Sequence, residues 1–256
     1  MSAIVRAEGA PVEQGRAQGA ALAPAIRAAL ARQRVAWGWL ARRAVERRVA
    51  ATSGRALATQ LPWQRERIEG LAQAARVAER ALVVAEAETR VQAAAFRSDG
   101  RIQLALELDP ALEPALALRQ SAPDAGGFAS AELTLAPLAG CLCGVNAEGL
   151  AAAVLRDLSR DELSLRFHAQ ELLFRARELG AGIDHLRRRA GYAGGSGTLL
   201  AAGVGGQLAL LHFARGALEV EVPARLPPAA AAASVELDPA ARALRWGEIR
   251  VEAGAR

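Results

Sequence analysis

The fold of this chain is decided by residues 91–109, VQAAAFRSDGRIQLALELD. Residues 102–108 alternate between apolar and other side chains, which is the period of a strand with one buried face. Ser98, Asp99 and Gly100 are residue types that favour a tight turn. The stretch therefore predicts a strand, a turn and a second strand, and it separates a mainly helical part, 1–88, from a strand-rich part, 89–256.

The N-terminal part has the pattern of helices. After Pro11, which suits a helix start, apolar residues recur every four positions. Gly15 and Gly19 share one face of this first helix, so we expect another element to pack closely there. A second, amphipathic helix is predicted over residues 37–48 and a third from Pro62 towards Ala85.

The C-terminal part predicts strands around one pair of helices, at 159–190. Residues 110–131 are rich in Pro, Ala, Asp and Gly and are expected to form a surface loop. Ser159 and Glu162 have the spacing of a capping box at a helix start, and Gly205-Gly206 marks a hairpin. The expected strands cover 102–108, 133–138, 141–145, 150–155, 198–202, 207–213, 217–222, 235–237 and 243–251. Together these elements predict an α+β layered fold in a single domain, 1–256.

Composition excludes several chemistries. All 32 basic residues are arginine, so a Schiff base, a Ser–Lys dyad and a P-loop lysine are all impossible. Cys141 and Cys143 are expected on opposite faces of a strand, buried and without a mutual disulfide. The three histidines lack zinc spacing, and no metal or cofactor is predicted. The sequence shows neither a signal peptide nor a membrane span, so a soluble cytoplasmic protein is the expectation.

The chain's one asparagine lies in its tightest motif, residues 144–150, GVNAEGL. The carboxamide of Asn146, fixed at a strand end, is able to donate a hydrogen bond to an oxyanion without bringing a counter-charge. The alternative is a structural role, in which Asn146 takes a left-handed backbone conformation in a turn.

The motifs taken in order resemble those of the acyl-coenzyme A:6-aminopenicillanic acid acyltransferase family. The resemblance rests on Pro11 with Gly15 and Gly19, on IEGLA at 68–72, on the Asp99-Gly100 hairpin, on Leu108-Asp109 and on GVNAEGL at 144–150. That family belongs to the N-terminal nucleophile hydrolases. The resemblance implies a four-layer αββα sandwich, self-cleavage before a cysteine, and acyl transfer or hydrolysis on amides.

The family's nucleophile is missing here. Counting back from Asp99-Gly100 places its cysteine at Val91 or Ala93, and Arg90 stands where a glycine is expected before the cut. The family's Arg-Asn-x-Asp reads LELD at 106–109, which retains only Asp109, and its glycine-rich run reads GLAQAAR at 70–76. The leading hypothesis is a binding or regulatory pseudoenzyme that takes a small molecule or a protein partner near Asp109 and Asn146.

Three alternatives stay open. Thr89 is a candidate for a displaced nucleophile, which would make the chain an active amide hydrolase or acyltransferase. Cys141 or Cys143 would need a histidine base at 168, 185 or 212. The arginine-rich helix at 37–48 is the best argument for a nucleic-acid or anionic-surface binder, a reading that the uniform preference for arginine weakens.

Overall fold

The computed structural model describes residues 3–36, 39–107, 115–124, 126–159, 162–214, 216–227 and 235–254. The helices are α1 (Pro11–Ala36), α2 (Trp39–Gln60), α3 (Pro62–Ala75), α4 (Glu79–Glu88), α5 (Leu165–Arg175) and α6 (Leu179–Ala193). The strands are β1 (Ala3–Gly9), β2 (Gln92–Ser98), β3 (Arg101–Glu107), β4 (Leu116–Pro123), β5 (Ser130–Leu135), β6 (Cys143–Asn146), β7 (Ala151–Asp157), β8 (Gly197–Ala202), β9 (Leu208–Ala214), β10 (Ala217–Glu221), β11 (Val235–Asp238), β12 (Ala243–Trp246) and β13 (Ile249–Glu252). The mixed α+β class predicted from the sequence is confirmed.

The strands form one curled sheet with two parts that meet at β7. The larger part has the order β1-β4-β5-β6-β7-β8-β9-β10, and the smaller part has the order β2-β3-β11-β12-β13. One register pair, Gln92 with Arg156, joins β2 to β7. Strand β12 lies against β5 and β6, and β13 lies against β4 and β5, so the smaller part folds over one face of the larger part.

Helices cover the opposite face of the larger part. Ala151 and Ala153 of β7 pack in a hydrophobic cluster that includes Leu237 and Leu244 of the smaller part. Ala152 points the other way, into a second cluster with residues of α5 and α6. The layers therefore run from helices to the larger sheet part and then to the smaller part.

The close approach expected at Gly15 and Gly19 is confirmed. A Cβ atom built on Gly15 would overlap the backbone carbonyl of Arg67 in α3, and one on Gly19 would overlap that of Leu71. From the other side, a Cβ on Gly70 would overlap the carbonyl of Val12. Helices α1 and α3 touch backbone to backbone because neither presents a side chain at these positions.

Two other helix predictions need correction. The predicted third helix is interrupted at Arg76, whose φ of 56° is left-handed and ends α3 before α4 begins. Helix α5 begins after Ser164, which caps it by accepting a hydrogen bond from the N–H of Arg166. Ser159 and Glu162 cap no helix, because their side chains accept hydrogen bonds from the N–H groups of residues 196 and 195.

The loop predicted over 110–131 is wrong where β4 lies. This strand runs parallel to β1 and antiparallel to β5, and its residues Leu116 to Arg119 are buried. Because both of its faces are covered, β4 lacks the alternation by which a half-buried strand is recognised. Strand β1 was also not predicted.

The two predicted hairpin turns are present, and a third appears. Asp99 and Gly100 have φ values of 50° and 79° between β2 and β3, as a two-residue type I′ turn requires. Gly205 and Gly206 lie in the turn between β8 and β9. The strand expected over 243–251 is instead the hairpin β12–β13, which turns at Gly247 with a φ of 58°.

Candidate functional site

The residue directly before β2 is apolar and buried, although Gln92 at the start of the strand is exposed. Val91 is 1% exposed and packs in the larger hydrophobic cluster, which joins residues of α1 to α4 with residues of both sheet parts. Arg90 donates a hydrogen bond from Nη1 to the carbonyl of Ser159 at 2.9 Å. Ala93 is half-buried in β2. The two positions to which the resemblance assigns a nucleophile therefore carry side chains without a nucleophilic atom.

Thr89 is held through its backbone at the junction of α4 and β2. Its N–H donates to the carbonyl of Ala85 at 3.0 Å, and its carbonyl accepts from Nη1 of Arg166 at 3.1 Å. Arg166 is fully buried and is balanced by two carboxylates, Glu86 at 3.0 Å and Asp157 at 3.4 Å. In the intact chain both backbone polar groups of Thr89 are thus engaged.

Asn146 ties a turn to the end of helix α5. Its Nδ2 donates to the carbonyls of Leu173 and Ala176 at 3.0 and 2.8 Å. Its Oδ1 accepts from the backbone N–H groups two and four residues further along the chain. The left-handed residue of this turn is Gly149, with a φ of 83°. Since both amide hydrogens of Asn146 are used, the geometry matches a structural role and leaves no donor for an oxyanion.

Asp109 lies outside the described residues, as does Leu108. Leu106 and Glu107, which stand in place of the family's Arg-Asn pair, end strand β3; Leu106 is half-buried and Glu107 is exposed.

The prediction that both cysteines are buried without a mutual disulfide is confirmed, but Cys141 precedes β6 instead of lying in a strand. Both are free and buried, with Cys141 in the cluster under α5 and α6 and Cys143 in the larger hydrophobic cluster. Burial is the main cause that raises the pKa of each thiol, so both are protonated at neutral pH.

The described histidines bind groups other than these thiols. His168 is within 2.9 Å of the carbonyl of Gly194, and burial lowers its pKa to about 4. His185 is 3.0 Å from Oε1 of Glu171. The pKa of Glu171 is lowered, because its hydrogen bond with His185 and the nearby charge of Arg189 outweigh the opposing effect of burial.

A hydroxyl, an imidazole and a carboxylate form a chain on the outer strands β8 to β10. Thr198 Oγ1 is 3.2 Å from Nδ1 of His212, whose Nε2 is 3.2 Å from Oε2 of Glu221. The side chains of His212 and Glu221 are 38% and 61% exposed. Nucleophilic catalysis also needs a substrate cleft and oxyanion donors, and these three residues line none of the three cavities described below.

The polar cluster that sequence reasoning missed lies between the helices and the larger sheet part. We call Gln18, Arg67, Arg119, Glu132 and Gln170 the buried polar cluster. Arg119 and Glu132 are cross-strand neighbours in β4 and β5, joined by a charge-assisted hydrogen bond of 2.8 Å from Nε to Oε2. Gln18 accepts from Arg119, and Gln170 donates to Glu132 at 3.0 Å. Helices α1, α3 and α5 thus each send a polar side chain to one point under the sheet.

The buried polar cluster carries an excess positive charge. It contains two guanidinium groups, Arg67 and Arg119, and one carboxylate, Glu132. Burial would raise the pKa of Glu132, but Arg119 and then Arg67 hold it below its usual value. Burial, and secondly the charge of Arg119, lower the pKa of Arg67 to about 9, which still leaves it protonated at neutral pH.

Arg67 is the group that lacks a counter-charge. Its Nη2 donates to Oγ of Ser121 at 2.9 Å. Within the described ranges, its Nε and Oε1 of Gln64 are the buried side-chain atoms without a hydrogen-bond partner. No carboxylate of the described residues forms an ion pair with Arg67, whereas Arg119 pairs with Glu132 and Arg166 with both Glu86 and Asp157. An unbalanced buried charge is costly in a folded protein.

A cavity of about 550 Å³ opens at the ends of β4 and β5, and Arg67 itself does not line it. Ser121 and Ser130, which are cross-strand neighbours, both line it. Both hydroxyls are buried on the helix side of the sheet, where Ser121 accepts from Arg67 and Ser130 donates to Glu132 at 2.6 Å. The cavity also reaches close to Asn146, because Asn146 pairs with Ser130 in the sheet. Asn146 itself does not line the cavity.

Two further cavities lie elsewhere on the described part of the chain. One of about 400 Å³ lies among α2, α3 and α4, with Arg55, Arg65 and Arg80 in its lining. The other, of about 330 Å³, lies on the smaller sheet part, where Arg101 is 3.3 Å from Glu236. Neither is lined by a residue bonded to the buried polar cluster, as Ser121 and Ser130 are in the first cavity.

Among the described residues no cluster of histidine, cysteine and acidic side chains has the arrangement of a metal site. The described helices include none that is both long and apolar enough to cross a membrane. Trp37, on which the nucleic-acid alternative partly rests, lies outside the described residues, so that alternative stays a prediction.

Comparison with protein-family models finds no match to this chain, and comparison with curated proteins finds no significant similarity.

Proposed function

We propose that this protein is a catalytically degenerate homologue of the N-terminal nucleophile amidohydrolases and acyltransferases, which stays one chain and binds a small molecule. The observation that carries the proposal is Val91, a buried apolar residue at the start of β2. An enzyme of this class needs a nucleophile at that point and a free terminal amine beside it. Valine has no nucleophilic atom, so it can neither cleave the chain nor attack a substrate.

The layer order supports the proposed ancestry. Helices, the larger sheet part and the smaller part that folds over it correspond to three successive layers of an αββα sandwich. The α1–α3 contact supports it as well, because the glycines that the resemblance picks out are the ones on which that contact depends.

The binding role is supported by the buried polar cluster and the cavity beside it. A protein gains nothing in stability from a buried arginine without a counter-charge. Such a group is typical of a site at which charge is held ready for a ligand. The cavity volume of about 550 Å³ is within the range of small-molecule sites.

The runner-up is an active hydrolase or acyltransferase that uses Thr89. The observation in its favour is that Thr89 carries a hydroxyl and lies two residues before Val91, at the end of α4. Its engaged N–H argues against it, because the reaction would require release of that nitrogen as a terminal amine.

Intact mass spectrometry of the purified protein separates the two. We expect a single species of 26.8 kDa, unchanged in a Thr89→Ala variant apart from the mass of the substitution. Two fragments from a cut near residues 88–92 that disappear in Thr89→Ala would overturn the proposal in favour of the enzyme.

A further inference from the structure

Strand β1 forms one end of the larger sheet part, and among the described strands it pairs with β4 alone. Val5 and Ala7 are 2% and 0% exposed, main chain included. Ile4, Arg6 and Glu8 are exposed. In a strand the N–H and C=O groups of successive residues point alternately to the two edges. The outer edge of β1 therefore presents the main-chain groups of Ile4, Arg6 and Glu8, which no described strand covers.

The side chains along an open edge decide whether it attracts or repels another strand. Such an edge is a template for pairing, and opposed side chains on antiparallel strands lie on the same face and interact. Arg6 and Glu8 stand two residues apart, on one face of β1, and carry opposite charges. Neither forms an ion pair with a described residue. The edge thus carries one unpaired charge of each sign.

Two other end strands, β10 of the larger part and β13 of the smaller part, differ from β1 in this respect. Exposed Glu219 and Glu221 give β10 charges of one sign, so a second copy on that edge would meet acid with acid. On β13, Arg250 is 3.3 Å from Glu252 of the same strand, so these charges are already paired. Of these three end strands, β1 is the one whose charges complement those of a second copy.

The charges also select how two copies of β1 align about a twofold axis. With Arg6 on the axis, Arg6 would oppose its own copy, and like charges directly opposed are unfavourable. With Val5 on the axis, Arg6 would oppose Ile4 and gain no charge partner. With Ala7 on the axis, Arg6 opposes Glu8 of the partner subunit, and the symmetry repeats the pair. Arg6 and Glu8 both point their main-chain groups to the outer edge, so each opposed pair also exchanges its N–H···O=C hydrogen bonds.

Helix α1 leaves room for a second copy at this edge. It packs mainly on β1, with α3 on the side of Gly15 and Gly19. On the helical period Ala17, Ala21 and Ala28 fall on the opposite side of α1, which faces the outer edge of β1. Ala21 and Ala28 are exposed, and their short side chains do not obstruct a partner helix.

We propose that two copies of this chain join through β1, antiparallel about a twofold axis at Ala7, so that the two larger sheet parts become one continuous sheet. Each Arg6 then pairs with Glu8 of the partner subunit. Both residues also line the cavity of about 550 Å³, so the partner subunit adds charged side chains to its rim on the β1 side. The dimer goes beyond the proposed function and does not depend on it.

Sedimentation velocity of the untagged chain tests the proposal. We expect the mass to rise with concentration from 26.8 kDa towards twice that value. Because a strand-edge interface is small, the transition should fall in the micromolar range. A protein that stays a monomer at several hundred micromolar overturns the inference.

Charge reversal on β1 tests the interface and its register. Arg6→Glu and Glu8→Arg each turn both attractive pairs of the dimer into repulsive ones, so each should weaken self-association at least about tenfold. An equimolar mixture of the two variants should dimerise, because every acidic residue of one chain then opposes an arginine of the other. The double variant Arg6→Glu/Glu8→Arg should dimerise as well.

The matched control is Arg188→Glu, the same change at an exposed residue of α6, which packs against β10 at the far end of the larger part. It should leave dimerisation unchanged, and circular dichroism checks that every variant keeps the fold. A dimer as strong in Arg6→Glu and Glu8→Arg as in the original protein would refute pairing through β1.

Discussion

Replacement of Glu132 by glutamine removes the only carboxylate of the buried polar cluster and keeps its size. The carboxylate accepts from Arg119 at 2.8 Å, from Gln170 at 3.0 Å and from Ser130 at 2.6 Å. A carboxamide has one acceptor oxygen, and its NH₂ group would face donors. Arg119 and Arg67 would then be two buried cations without a counter-charge.

The expected loss in the free energy of unfolding is about 3–5 kcal/mol, the cost of breaking a buried ion pair from one side. For a chain of this size the corresponding fall in Tm is about 6–20 °C. Urea unfolding followed by far-UV circular dichroism measures the loss in free energy, and thermal unfolding measures the fall in Tm. The matched control is Glu236→Gln, whose carboxylate is 3.3 Å from Arg101 in a pair with side chains 46% and 22% exposed. That surface change should cost less than about 1 kcal/mol.

A second substitution tests the reason for the loss. If repulsion between the two arginines contributes, Arg67→Met should relieve part of the damage in Glu132→Gln, with a coupling of about 0.5–3 kcal/mol. Alone, Arg67→Met should be neutral or stabilising, because it replaces an unbalanced buried charge with an apolar side chain. A loss below about 1 kcal/mol in Glu132→Gln would refute the assignment of Glu132 as the counter-charge of the cluster.

Three further predictions follow from other parts of the fold. Gly70→Ala should lower the free energy of unfolding by at least about 1–3 kcal/mol, because its Cβ would overlap the carbonyl of Val12. Gly54→Ala, where the new Cβ meets open space, should raise it by up to about 1 kcal/mol. Urea unfolding compares the two variants, and equal effects would contradict the close helix contact. The pKa of His168 is lowered to about 4 in the folded protein by burial. Between about pH 6.5 and 4 the unfolded chain therefore binds a proton that the folded protein does not, and the free energy of unfolding falls by about 3 kcal/mol as the pH drops through that window. His168→Gln should flatten this pH dependence in unfolding experiments, and an unchanged slope would rule out the histidine as its source. Trp63→Phe should cost about 1–3 kcal/mol, because Nε1 of Trp63 donates to buried Glu171 at 2.7 Å and the stacking on Phe174 would be retained; a neutral result in the same assay would show that this hydrogen bond adds nothing.

The parts of the fold that could be predicted are those with one dominant local signal. The hairpin at Asp99-Gly100 is specified by residues that tolerate a positive φ, and the contact at Gly15 by the absence of side chains. In each case a few neighbouring residues fix the outcome.

Strand β4 and the candidate site depend on distant partners instead. Leu116 to Ser121 carry no alternation because β1, β5, the helices and the smaller sheet part together cover both faces. Arg119 is recognisable as a buried residue only once Glu132 lies opposite it and Gln18 reaches it from α1. Polar residues at buried helix positions, Gln18 on α1 and Gln170 on α5, were the available signal. Without the sheet they could not be told from solvated side chains.

The glycine contact and the candidate site are physically linked. Gly15 lies against the backbone carbonyl of Arg67, so the distance between α1 and α3 sets how deeply Arg67 reaches under the sheet towards Ser121. A methyl group at Gly15 would push that turn of α3 away from α1 and displace the guanidinium of Arg67 from Ser121. A substitution that merely loosened the helices would lower stability alone, whereas this linkage also requires Gly15→Ala to weaken ligand binding by more than its loss of stability explains. The glycines that suggested the ancestry of this chain thus also position the charge on which its proposed binding function depends.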